Sequence, residues 1–263
     1  MTAAANDDPV NDRIYIHELV EIAGHNRARY MHHITANWSP IGQAERGQLC
    51  FGVWGTVGST GRWPEVINMW EHPGWPGMAT NFEHEFEHPT MQDPSLAEWW
   101  AEAAAFRNGG SDRLLRPAPW SPTIGRLVAD GVRGAVYAHE LVQVRPRTST
   151  QYLELVRDVA VPAMQRFDMT LVGAFETAMV NDSECLVVWA FPTWQDWGRY
   201  EAAHRRDEGL AGWHARTAEI VVDYRRTLLV DAPFSPMRIG RQPQVEDRAH
   251  GPQVSTSVYR PQP

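Results

Sequence analysis

Residues 14–22, Ile-Tyr-Ile-His-Glu-Leu-Val-Glu-Ile, place β-branched and polar side chains in a near two-residue alternation, which predicts a strand. Residues 25–41 carry apolar positions at helical spacing and run into Trp38-Ser39-Pro40, where a helix is expected to stop because a residue preceding proline avoids the helical region. Strands are expected at 48–57 and 63–71, joined through Gly58-Ser59-Thr60-Gly61. The run His72-Pro73-Gly74-Trp75-Pro76-Gly77 predicts an irregular loop, followed by helices over roughly 78–88 and 95–107 and a strand at 112–117. The pattern then recurs: strand 135–144, helix 147–166, strands 169–179 and 183–191, helices 193–206 and 209–219, and strand 222–231.

The recurrence extends to residue identity. Ile14-Tyr15-Ile16-His17-Glu18-Leu19 is answered by Val136-Tyr137-Ala138-His139-Glu140-Leu141, Tyr30 by Tyr152, Gly52-Val53-Trp54 by Gly173-Ala174-Phe175, Trp70 by Trp189 and Trp99 by Trp213. The offset drifts only from 122 (His17 to His139) to 114 (Trp120 to Phe234). A tandem duplication is the expected origin. Each half reads β-α-β-β-α-β, the split ferredoxin-like unit. Helices cover one face of such a sheet, so two units that press their bare faces together make a fused α+β barrel. The expected organisation is a first repeat at 13–117, a second at 135–237, and a Gln-, Arg- and Pro-rich tail at 238–263 that forms an arm rather than a third domain.

Composition removes several functions. All 24 basic side chains are arginine, which excludes a lysine Schiff base and an internal pyridoxal aldimine. A net charge of −8 argues against nucleic acid as partner. No apolar run reaches the roughly 18 residues of a membrane span, and the first dozen residues lack the features of a signal peptide, so a cytoplasmic protein is expected. Cys50 and Cys185 occupy non-matching places in the repeats and are expected to be buried thiols. There is no phosphate loop, nucleophile elbow or dinucleotide fingerprint, so no nicotinamide or flavin is expected.

The motifs Glu18-Leu19, Gly52-Val53-Trp54, Ile67-Asn68-Met69-Trp70 and Leu115-Arg116-Pro117-Ala118-Pro119-Trp120-Ser121-Pro122, with Glu140-Leu141, Val187-Val188-Trp189 and Pro233-Phe234-Ser235-Pro236, resemble the NIPSNAP family of the dimeric α+β barrel superfamily. The resemblance spans about 13–237. It implies the fold strongly and the function weakly, since the superfamily includes adaptor proteins, cofactor-free monooxygenases, cyclases and haem enzymes. The family's arginine after Glu-Leu is here Val20 or Val142, and its tyrosine two places on is Ile22 or Val144. A carboxylate left without that cation on an apolar face has its pKa raised, which suits acid–base chemistry.

Strand alternation puts Glu18 on one face of its strand and His17 on the other, with Tyr15 and Leu19. Either serves as acid or base, but not both in one cavity. Tyr30 and His72 are the expected polar orienters, and Trp54, Trp70 and Trp75 the expected walls, with Trp75 on a loop as a lid. His84 and His88, spaced as a helical pair, could hold a metal, although the acidic run around them reads more simply as a solvated face. By analogy with the superfamily's haem enzymes, His204 and His214 are possible ligands. The reading is a cofactor-independent lyase, isomerase, cyclase or monooxygenase acting on a small apolar or aromatic molecule, with its site in the first repeat under the 72–95 segment, in a protein expected to form a homodimer. The rival is a non-catalytic small-molecule-binding or scaffold protein. An enclosed ligand-sized cavity around one of these ionisable groups separates the two.

Overall fold

A computed structural model describes residues 10–251; residues 1–9, and residues 252–263 of the expected arm, lie outside the described residues. Eight strands, β1 (Ile14–Ile22), β2 (Leu49–Thr56), β3 (Glu65–His72), β4 (Arg107–Pro117), β5 (Val136–Val144), β6 (Thr170–Thr177), β7 (Glu184–Phe191) and β8 (Val221–Asp231), close into a barrel in the order β1-β3-β2-β8-β5-β7-β6-β4. Read within each half, the order is β4-β1-β3-β2 and β8-β5-β7-β6, the same antiparallel arrangement twice. The halves join through two short ladders, Trp54–Thr56 of β2 on Leu229–Asp231 of β8 and Leu115–Pro117 of β4 on Phe175–Thr177 of β6. Closure removes the exposed edges that a lone four-stranded sheet would present.

Alternation along the strands sorts the side chains into two environments. Tyr15, Phe51, Trp54, Ile67, Met69, Leu115, Tyr137 and Phe175 pack inside the barrel as one cluster shared by both repeats. Val20, Ile22, Val53, Val66 and Trp70 point outward and pack with Tyr30, Ile34 and Trp38 beneath the helices of the first repeat. The second repeat has its own sheet–helix cluster around Val142, Tyr152, Trp189 and Trp213.

The first long helix runs as α1 (Arg27–His32), a π turn (His33–Trp38) and α2 (Ser39–Arg46). It therefore does not stop at Pro40. Proline lacks an N–H and crowds the carbonyl one turn back, and the wider π turn just before it absorbs that misfit. The second repeat repeats the device: α6 (Ser149–Leu155), a π turn (Val156–Ala160) and α7 (Val161–Gln165), with Pro162 in the same place. The expected loop at 72–77 is also corrected. The helix α3 (Gly74–Phe86) begins inside it, with Gly74 taking a φ of 70° after Pro73. The remaining helices are α4 (Ala97–Phe106), α5 (Ile124–Ala129) in the connection between repeats, α8 (Trp194–Ala203), α9 (Glu208–Thr217) and α10 (Pro236–Ile239). No described helix is long and apolar enough to cross a membrane. Cys50 and Cys185 are buried free thiols.

The chain after α10 folds back on the first repeat. Gln242 accepts from the Cys50 backbone N–H at 2.9 Å and donates to the Cys50 carbonyl at 2.8 Å. Gln43 donates to the Pro243 carbonyl at 2.8 Å, and Arg248 donates to the carbonyl of Ala36 in the π turn. The described part of the tail is thus a strap over its own chain.

One duplicated glycine has a steric reason. In each repeat a strand irregularity precedes a glycine, Gly52 or Gly173, and the aromatic ring two residues on folds back over it. A Cβ at Gly52 would lie 2.1 Å from the Trp54 ring, and one at Gly173 2.3 Å from the Phe175 ring. Both rings are fully buried, so neither can move away. Gly52→Ala and Gly173→Ala are each expected to cost about 1–3 kcal/mol by overpacking, read as a lowered midpoint in urea unfolding.

Candidate active site between the first sheet and its helices

A cavity of about 490 Å³ lies between the first repeat's sheet and its helices. Its floor is β1 and β4, with Ile16, Glu18, Val20, Arg107 and Asp112; its walls are Trp38, Trp70, Trp99 and Trp100; its roof is Phe82, Glu85 and Phe86 of α3 with Met91 after it. Glu18 is half-buried, enclosed by protein on its sides and open to this space. Asn68, fully buried on β3 directly across from Glu18 in register, donates through Nδ2 to Glu18 Oε2 at 2.7 Å and to the Tyr30 hydroxyl at 2.8 Å. Removal from water pushes the Glu18 carboxyl up to about 7, and the like charge of Asp112 adds to the rise; hydrogen bonds from Asn68 and Trp70 and the charge of Arg107 only partly oppose it. Burial, then the neighbouring Glu18, raises the Tyr30 phenol, which therefore stays protonated.

The twin position shows what this geometry lacks. Glu140 is buried and receives hydrogen bonds from Trp189 Nε1 at 3.0 Å, the Tyr224 hydroxyl at 2.7 Å, and Arg226 at 2.9 Å from Nε and 2.7 Å from Nη2. Strand register pairs Glu140 with Arg226 and Glu18 with Asp112. Where the second repeat supplies a guanidinium to its carboxylate, the first supplies a second carboxylate. Two residues earlier, Tyr224 is answered by Gly110, whose backbone runs so near Leu19 that a Cβ would lie 2.3 Å from the Leu19 carbonyl oxygen. A missing tyrosine and a missing arginine open the cavity and leave Glu18 uncompensated.

Several buried donors behind the cavity walls have no acceptor. The buried indole nitrogens of Trp99 and Trp100 and Nη2 of Arg46 have no hydrogen-bond partner among the described residues. Arg46 is held by Asn81 at 3.2 Å and lies within 3.6 Å of Glu85 and 3.7 Å of Asp93. The site therefore sets aromatic walls and the Arg107 side chain around one carboxyl that titrates near neutrality, a fit for a flat, apolar guest.

His17 faces the opposite side of β1, into the barrel, where its Nε2 lies 3.4 Å from Nδ1 of His139. Burial lowers both imidazoles, His139 to about 3, and the neighbouring His139 and Arg113 add to the lowering of His17. Trp54 is also inside the barrel, edge-on to His139 at 4.8 Å. His72 ends β3 buried beside Arg46, its pKa lowered to about 4 by burial and that charge, with neither ring nitrogen partnered among the described residues. Trp75 sits half-exposed in the first turn of α3 and lines none of the cavity. Of the residues singled out from sequence, the cavity brings together Glu18, Tyr30 (through Asn68) and Trp70; the roof comes from Phe82, Phe86 and Met91. Asn68, Asp112, Trp38, Trp99 and Trp100 escaped sequence reasoning. The repeat alignment itself carried the signal for Asp112, because the 114-residue offset sets it against Arg226.

His84 lies within α3, 3.8 Å from Asp93, whereas His88 follows the helix end and contacts the Thr90 hydroxyl at 2.8 Å. Among the described residues no group of three or more His, Cys, Asp or Glu is placed to hold a metal ion. His204 and His214 pack ring to ring at 4.8 Å.

Comparison with solved structures decides the architecture. A candidate monooxygenase from Lactobacillus acidophilus NCFM aligns with a TM-score of 0.56 over 84% of this chain and 94% of its own, at 12% identity. The chain has the dimeric α+β barrel fold. An anthrone oxidase-like protein aligns with a TM-score of 0.55 over 84% of this chain and 92% of its own, at 11% identity. A NIPSNAP family protein of unknown function from Agrobacterium tumefaciens str. C58 aligns over 40% of this chain and 94% of its own, with a TM-score of 0.36 and 19% identity. No protein-family model matches the chain, and no curated protein matches it.

The raised carboxyl has a stability consequence. The folded-state pKa of about 7 lies above the ordinary value of 4.5, so ionising Glu18 opposes folding. The penalty is absent below pH 4.5, grows between 4.5 and 7, and is complete above 7. Glu18→Gln is therefore expected to stabilise the protein at pH 8 by about 3 kcal/mol, at about 1.4 kcal/mol per pH unit between 4.5 and 7, and to leave it unchanged at pH 4. Thermal melts across that range check this; equal effects at both pH values would show an ordinary carboxyl.

Proposed function

We propose that the protein is a cofactor-independent enzyme that removes a proton from a small, flat aromatic substrate, with Glu18 as the general base. The observation that carries this reading is the contrast between two glutamates at one strand position: Glu140 is sealed by Arg226, while Glu18 faces a tryptophan-walled cavity and titrates near neutrality. A base poised near the working pH combines a useful ionised fraction with sufficient basicity. Asn68 holds one carboxylate oxygen and links it to Tyr30, which fixes the carboxylate's orientation. Arg107, which lines the same cavity, would bind a substrate oxygen and take up negative charge as the proton leaves.

The substrate class that fits is a hydroxylated polycycle whose acidic C–H lies across the ring from a carbonyl, as in an anthrone. The base takes the C–H proton, and the carbanion charge moves to the carbonyl oxygen. With dioxygen as co-reactant the carbanion is oxidised: one oxygen atom becomes the new ring carbonyl and the other leaves as water with the two hydrogens of the methylene carbon. The shared fold with an anthrone oxidase-like protein supports this class.

Anthrone tests it in two stages. Under argon in deuterated buffer, NMR is expected to show enzyme-dependent exchange at the methylene carbon; in air, oxygen uptake should match quinone formed. Exchange that survives Glu18→Gln would overturn the assignment of the base. Binding without exchange or oxygen uptake would favour a small-molecule-binding protein.

A further inference from the structure

A second cavity, of about 310 Å³, occupies the barrel interior on the other side of β1 from Glu18. Both repeats build it. Leu19 and Ile67 from the first and Leu141 and Leu186 from the second form an apolar wall, His17 and His139 meet inside, and Arg62, Arg113 and Arg225 lie around it with Glu21 and Glu65.

The hydrogen bonds here have a direction. A guanidinium only donates, so Arg113 Nη1, at 3.2 Å, makes Nδ1 of His17 an acceptor and puts that ring's proton on Nε2. His17 Nε2 then donates to Nδ1 of His139 at 3.4 Å, which leaves the proton of His139 on its own Nε2. That nitrogen is buried and has no partner among the described residues.

The charges are similarly unbalanced. Arg62 pairs with Glu21, and Nε of Arg113 pairs with Glu184 at 3.3 Å. Nη2 of Arg113, and the guanidinium of Arg225 at the solvent-exposed rim of the cavity, have no hydrogen-bond or ion-pair partner among the described residues. Glu65, the remaining carboxyl, is buried and its pKa is raised by that burial. Donors thus outnumber acceptors around an apolar interior.

We propose that the barrel interior is a second ligand site, for a small amphipathic carboxylate whose apolar body lies among Leu19, Ile67, Leu141 and Leu186 and whose carboxylate is held by Arg113 and Arg225. The volume sits at the low end for small-molecule sites, which limits the guest to a short chain or a single ring. Arginine suits the head group because its forked donors match both oxygens of a carboxylate. The site is separate from the Glu18 cavity and does not depend on the reaction assigned there.

Octanoate is the probe, with octan-1-ol as its uncharged match, titrated calorimetrically into the full chain. Octanoate is expected to bind one per chain, and octan-1-ol at least tenfold more weakly. Arg113→Met and Arg225→Met should each weaken octanoate about tenfold, Leu141→Trp should abolish binding by filling the cavity, and Glu18→Gln should leave it unchanged. If circular dichroism shows Leu141→Trp unfolded, the exposed position Arg225 decides the matter. Absence of octanoate binding, equal affinity for the alcohol, or affinity that follows Glu18 and ignores both arginines would overturn the proposal.

Discussion

Glu18→Gln is expected to lower turnover at least 1,000-fold, about 4 kcal/mol of activation barrier, while Glu140→Gln leaves the activity of each folded molecule largely intact. The two substitutions are chemically identical and fall at matching positions of the repeats, so the difference isolates environment. At Glu18 the amide keeps the bond to Asn68 but cannot accept a proton, and no ion pair is broken, because the register partner is Asp112 and Arg107 makes no salt bridge to Glu18. At Glu140 the amide leaves the buried Arg226 without its counter-ion, although Glu201 contacts it at 3.0 Å. Breaking one side of a buried ion pair costs about 3 kcal/mol, so Glu140→Gln should unfold at markedly lower temperature. Activity normalised to folded protein, with melts for both variants, gives the comparison. Equal losses of turnover would place the chemistry elsewhere or in both repeats.

Asp112→Arg is expected to abolish the proposed activity while stabilising the protein. The substitution gives Glu18 the guanidinium that Arg226 gives Glu140, and strand register puts it directly opposite. Glu18 would then fall from about 7 into or below the ordinary carboxylate range, becoming too weak a base, and the new side chain would occupy cavity space vacated at Gly110. A loss in kcat/KM of at least about 100-fold, near 2.7 kcal/mol, should accompany a higher melting temperature above pH 7, where the ionised Glu18 penalty is relieved. Asp112→Asn separates charge from bulk. Removing only the like charge lowers the Glu18 pKa, so the rising limb of the pH–rate profile should move to lower pH with the plateau retained. A limb that stays in place would mean that the titrating group is not Glu18.

Most of the architecture was legible because it depends on short-range periodicity used twice. The 14–22 strand, its twin at 136–144 and the glycine–aromatic strands all fall where alternation placed them, and the duplicated order told which faces must meet. The errors came from local rules that tertiary packing overrode. Pro40 reads as a helix stop, but a π turn before it lets the helix continue to Arg46, with the tail strapped across that turn. The Pro-Gly run at 73–77 reads as loop, yet Gly74 turns the chain directly into α3. Trp75 reads as a lid on a loop, yet it sits in the first turn of α3, half-exposed to solvent.

The sequence by itself determined that there are two copies of one β-α-β-β-α-β unit, that Glu18 and His17 must serve different cavities, and that the cation usual beside the Glu-Leu motif is absent from β1. These are statements about order and alternation, which a linear chain carries. Only the tertiary structure decided what replaces that cation, because the neighbour of Glu18 is set by strand register across nearly a hundred residues. There the second repeat brings Arg226 and Tyr224 to fill and neutralise the space, and the first brings Asp112 and Gly110 and leaves it open. Electrostatic environment is a sum over groups close in space, and that closeness exists only once the barrel has closed.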